Sequence, residues 1–149
     1  MKNSLNILVD NATKPTSKTN KYGESTVAWA AWWGKVTPRP CKAGIIYMKY
    51  EGPNKSFYEG IIRGLEGCMW MVEEGDIVNV AGDCKLVIDQ LNAGQSTGDM
   101  EIYFNQVMSL KRKLKGEVFF HYLSEENLHY KKVDQLAKRS RDFFQKNLK

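Results

Sequence analysis

At 149 residues, 42% of them hydrophobic and 26% charged, the chain has the size and make-up of about one globular domain. It can bury a core without disulfides or a structural metal. No apolar run approaches the ~18–20 residues of a membrane span, and the opening MKNSLNILVDN lacks the long apolar segment and cleavage site of a secretory signal. An intracellular location, cytoplasm or nucleus, is therefore expected.

The net charge of +5 is unevenly spread. Residues 111–149 hold eleven of the 22 Lys and Arg against five acids, a local balance of +6, and the first 110 residues stand at −1. A basic C-terminal third suits a polyanionic partner, and it suits a solvated lysine-rich surface equally well. Cys41, Cys68 and Cys84 are odd in number and show no CxxC spacing, which argues against a disulfide framework or a zinc knuckle. They read as small buried hydrophobes in a reducing compartment.

In chain order, LNILV (5–9) is a first strand, closed by Asp10. The polar segment 11–25 reads as a long loop. TVAWAAWWGKV and AGIIYMKY, rich in β-branched and aromatic residues, are two more strands. Joined by non-helical connections, the three predict an antiparallel meander. Over 57–72 the period changes: Tyr58, Ile61, Ile62, Leu65, Cys68, Met69 and Val72 recur at helical spacing. Ser56 to Glu59 resemble a capping box at its start. Gly60, Gly64 and Gly67 each cost about 1 kcal/mol against Ala inside a helix, and their spacing makes one smooth stripe for close packing on a sheet.

The run IVNVA (77–81) is a buried strand, followed by a short helix over 84–92. A second amphipathic helix, capped by Asp99, turns Met100, Tyr103, Phe104, Val107, Met108 and Leu114 to one face. EVFFHYL (117–123) is the fifth strand, and a last helix spans 130–144 with Val133, Leu136, Ala137 and Phe144 inward. The predicted class is α/β: a five-stranded mixed sheet in a single domain, 1–149, with helices packed on its faces.

Four carboxylates occupy telling places. Asp10 and Asp83 stand at strand exits, where open α/β sheets bind ligands. Glu59 lies in the first turn of the first long helix, and Asp134 in the first turns of the last. Brought together, like charges raise one another's pKa, and a hard cation such as Mg²⁺, held by a few carboxylates and waters, is the stable solution. Taken singly, each acid has a plainer reading. Asp10-Asn11 fits a turn, Glu59 a capping box, Asp83 a helix N-cap, and Asp134 a charge near a helix N-terminus.

Read together, ILVDNA, SFYEGIIRGLEG, VNVAGDCKLVIDQLNAG and FFHYLSEEN…VDQLAKRS span about residues 5–145. They resemble the ribonuclease H type 1 domain, nearest the compact form of plant-like and archaeal-like members and of retroelement polyproteins. Asp10, Glu59, Asp83 and Asp134 match that family's acids in order. The resemblance implies that they are catalytic and bind two Mg²⁺ ions, with Mn²⁺ able to substitute. The implied activity is hydrolysis of the RNA strand of an RNA/DNA hybrid.

Asp10, expected to lie centrally on the first strand, is the choice for the ligand shared between the two ions. His121 matches a histidine that assists water deprotonation or product release, its plainer alternative being a half-buried strand residue. Contacts to the hybrid are implied at Asn11, Asn54, Ser56 and Asn127. Cys84 stands where the family has Ser, the loop 11–25 is rebuilt, and Asn127 precedes Asp134 by seven residues where four is common. The expected form is a monomer, free-standing or cut from a polyprotein with further domains. The runner-up is a catalytically silent binding module of the same fold, against which the retention of all four acids speaks. An exonuclease or integrase core fits the GDCKLVIDQL and VDQLAKRS contexts less well.

Overall fold

The structure is a computed structural model and describes residues 3–14, 24–34, 40–49 and 52–124. At its centre lies β1 (Ser4–Lys14). On one side β1 pairs antiparallel with β2 (Glu24–Trp33), Leu5 opposite Trp33 and Asp10 opposite Ala28. β2 in turn pairs antiparallel with β3 (Lys42–Lys49). On the other side β1 runs parallel to β4 (Ile77–Gly82), which runs parallel to β5 (Glu117–Tyr122). The strand order is β3-β2-β1-β4-β5.

Parallel neighbours need long crossovers. Helix α1 (Pro53–Cys68) lies in the first, and α2 (Lys85–Ala93) and α3 (Glu101–Lys113) in the second. Helix α2 ends where Gly94 takes a left-handed conformation at φ 71°, which a residue with a Cβ adopts poorly.

Alternation along the strands divides the core. Leu5, Ile7 and Val9 of β1 join Val27, Trp29, Val78, Val80, Val118 and Phe120 under the helices. Leu8 joins Ala28, Ala30, Trp32 and Ala81 on the opposite face. The glycine stripe does what its spacing implied. A Cβ at Gly60 would run into Val9 and Val27, and one at Gly67 would lie 2.7 Å from the Trp29 indole. One at Gly64 would lie 3.2 Å from Ile7. Gly64 and Gly67 thus make a slot for Trp29, and burying that ring offsets the helical cost of these glycines.

Several boundaries differ from the sequence expectation. The first strand does not stop at Asp10 but runs on to Lys14, because residues 10–14 keep pairing with β2. The Asp10-Asn11 turn reading falls with it. Helix α1 begins at Pro53, four residues early, with proline at the position where its fixed φ and missing N–H are best tolerated. Ser56 caps nothing; its hydroxyl donates to the Gly52 carbonyl at 3.1 Å. Glu59 consequently sits in the second turn.

Asp99 lies in a 3₁₀ turn before α3 instead of capping it, and its carboxylate meets Lys55 at 3.0 Å. Asp83 does not cap α2 either, since Cys84 holds that position and no side-chain cap bond forms. Of the cysteines, Cys68 is buried, Cys84 half-buried and Cys41 exposed, its thiol donating to the Ala31 carbonyl at 3.1 Å. The helix expected over 130–144 lies outside the described residues.

Candidate active site

The segments bearing three of the acids converge on Val9. The parallel register sets Leu8 beside Ala81, each two residues before an acid, Asp10 or Asp83. A Cβ at Gly82 would meet the Phe57 ring and lie 2.8 Å from the Val9 carbonyl, and Gly60 presses on the Val9 side chain. Each contact is one residue from an acid: Val9 from Asp10, Gly82 from Asp83, Gly60 from Glu59. The two glycines let β1, β4 and α1 approach this closely.

Asp10 is 3% exposed, and a carboxylate so buried is costly unless it is paired or coordinates a cation. The donors on these segments are carboxylate oxygens, the chemistry Mg²⁺ prefers. The neighbouring Cys84 thiol is engaged elsewhere, donating to Asn54 Oδ1 at 3.2 Å. Burial, with a smaller push from Asp83, raises that thiol above its ordinary range.

By chemistry the set suits a hard cation. Its geometry is less complete. Glu59 extends towards Arg63, 3.8 Å from its Nε, and among the described residues no group of three or more His, Cys, Asp or Glu is arranged to hold a metal ion. Asp134, the fourth acid, lies outside the described residues, as does Asn127.

The remaining candidates are scattered. Asn54 is half-buried near the start of α1. Ser56 is fully buried, inside the fold rather than on its surface. Asn11 continues β1 with its backbone opposite Val27. His121 is on β5, beside Ala81, and is exposed where half-burial was the alternative.

A polar row that the sequence reading missed runs across the sheet to this histidine. Asn6 donates to the Gly34 carbonyl, Asn79 Nδ2 donates to Asn6 Oδ1 at 3.1 Å, and His121 Nε2 lies 2.9 Å from Asn79 Oδ1. The available signal was an asparagine interrupting each of two apolar strands, LNILV and IVNVA.

No protein-family profile matches the chain, and no curated protein matches it in sequence. Solved structures do match it in fold. RNase H1 from the halophilic archaeon Halobacterium salinarum NRC-1 superposes with a TM-score of 0.75 at 18% identity, over 94% of this chain and 98% of that one. The N-terminal RNase H domain of a Mycobacterium tuberculosis protein, solved fused to maltose-binding protein, gives 0.78 at 16% identity, over 98% and 99%. LC11-RNase H1, isolated from compost by a metagenomic approach and solved in complex with an RNA/DNA hybrid, gives 0.75 at 16%, over 93% and 97%. The chain has the ribonuclease H fold.

Proposed function

We propose that the chain is a Mg²⁺-dependent endonuclease that hydrolyses the RNA strand of RNA/DNA hybrids, with residues 1–149 acting as one unit. The observation that carries this reading is the convergence on Val9 within the ribonuclease H fold. It brings together the segments that bear Asp10 and Asp83 and includes a helix–strand contact one residue from Glu59. That LC11-RNase H1 was solved with a hybrid bound lends it support. The reading carries an intracellular monomer with it, free or within a retroelement polyprotein. Among the described residues no helix is long and apolar enough to cross a membrane.

In this reading Asp10, Glu59, Asp83 and Asp134 hold the metal. Two bound Mg²⁺ ions would supply an activated water and offset charge on the scissile phosphate. The buried Asp10, fixed on the central strand, is the ligand best placed to be shared. Glu59 has to leave Arg63, a long surface contact of a kind that contributes little. His121, exposed beside the end of β4, accepts a proton as the imidazole and returns it as the imidazolium. Asn11, Asn54 and Asn127 contact the hybrid, and RNA is told from DNA by its 2′-hydroxyls. Ser56, buried, would act only by shaping the start of α1.

The competing reading is a catalytically silent binding module. It draws on the Glu59–Arg63 contact and on the lack of a three-acid group among the described residues. A hybrid labelled on each strand separates the two. With Mg²⁺ the RNA strand is cut and the DNA strand left intact. Folded protein that binds the hybrid but cuts neither strand, in Mg²⁺ or Mn²⁺, would establish the silent module.

A further inference from the structure

The row ending at His121 has a direction, and its first member sets it. The Gly34 carbonyl can only accept, so the Asn6 atom facing it must be the amide nitrogen. The Asn6 oxygen then faces Asn79, which must present its own nitrogen there, at 3.1 Å. That leaves the Asn79 oxygen 2.9 Å from His121 Nε2. Two acceptors at that separation would repel, so Nε2 carries a proton. Side-chain amide orientation and histidine tautomer are ordinarily matters of inference, but a backbone carbonyl at the end of the row removes the freedom to reverse it.

We propose that Asn79 is a positioning residue for His121. The Gly34–Asn6–Asn79 row holds the neutral imidazole as its Nε2–H tautomer and leaves Nδ1 as the atom that accepts a proton. Only one of the two ring nitrogens is then offered to solvent and substrate as a base, and Nε2 is tied to the sheet. The catalytic meaning of this assignment rests on the nuclease reading above, whereas the tautomer does not. Parallel register keeps the row and the acids on connected ground. Asn6 lies opposite Asn79 and Ala81 opposite His121, with Asp10 further along the same side of β1 as Asn6.

The chain contains only two histidines, His121 and His129, so ring nitrogen–proton correlation spectra of the ¹⁵N-labelled full chain are readily assigned, with His121→Gln removing one set. At a pH where the ring is neutral, His121 is expected to show a pyrrole-like Nε2 and a pyridine-like Nδ1. Asn79→Ala is expected to give an exchanging mixture of tautomers. Asn6→Ala, which does not touch the ring, should move it the same way to a smaller extent. A wild-type ring protonated on Nδ1 overturns the proposal, as does an Asn79→Ala spectrum unchanged from wild type.

Should Asn79→Ala fail to fold, the wild-type spectrum and Asn6→Ala still decide. In hybrid cleavage, Asn79→Ala should lower kcat roughly tenfold with KM unchanged, the low end of what loss of an orienting partner does to a histidine. It should add nothing in a His121→Ala background, and an additive loss there overturns the positioning role. Absence of cleavage by the wild type removes the nuclease reading and leaves the spectra to judge the tautomer.

Discussion

On one face of the sheet, Leu5, Ile7 and Val9 meet Val78, Val80, Val118 and Phe120, and Trp29 fills a slot cut by glycines of α1. On the other, Leu8 and Trp32 share the surface with Ala28, Ala30 and Ala81, and with the asparagine row that reaches His121. The two faces use alternate residues of the same strands. One is filled by large apolar side chains interlocked with helices, and its quality is a matter of volume. The other sets a smaller apolar cluster, Leu8 and Trp32 among alanines, beside polar side chains, so donors, acceptors and charge matter there as well as volume. Under the proposed nuclease reading, holding and reacting are therefore separated by one residue's step along β1.

That separation can be broken or sharpened by substitution. The largest effect is expected at the acids. Asp83→Asn and Asp10→Asn should each reduce hybrid cleavage at least about a thousandfold, while the thermal midpoint holds or, for the buried Asp10, rises. Equal loss of activity and of fold would erase the distinction.

On the helix-covered face, Trp29→Ala should cost about 3–5 kcal/mol of unfolding free energy in urea titration. Gly60→Ala, forcing a methyl onto Val9 and Val27, should cost about 1–3 kcal/mol. Gly64→Ala, with more room, should cost less than Gly60→Ala.

The smallest effect is a pH slope. Burial pushes the Cys68 thiol up to about 12 from an ordinary 9.0. The unfolded chain thus loses that proton first, so the contribution is complete below about pH 9 and is lost as pH rises from there towards 12. Cys68→Ala should flatten that alkaline decline in stability. An unaltered slope would mean that other groups govern it.

Much of this division was legible in the sequence. The strands rich in β-branched and aromatic residues, the helical period after residue 57 and the glycine stripe follow from local pattern, and each reappears in the structure. What local pattern did not show was decided by partners far along the chain. Asp10-Asn11 resembles a turn, yet pairing with Ala28 and Val27 carries the strand through both. Asp99 resembles a cap, yet Lys55 of another helix holds its carboxylate. The asparagine row was hidden because its members, Asn6 and Asn79, lie 73 residues apart and have meaning only once paired. The four acids stood out by their places at strand exits and helix starts, and motif resemblance then gave them a shared role. The structure describes the surroundings of three, and their part in catalysis is what the cleavage assay tests.

The pairing of β1 with β4 also governs when the candidate site exists. The β1–β2–β3 meander joins neighbours in sequence, so it can form while the chain is still being made. The strand that bears Asp10 then has no β4 beside it. Closing β1 on β4 across 73 residues carries a loop entropy that must be met before the contacts reward it. A nascent or half-folded chain therefore bears isolated carboxylates with ordinary habits. The segments that bear Asp10 and Asp83 meet only with the completed centre of the sheet, and a chain that has not finished folding has no assembled candidate site.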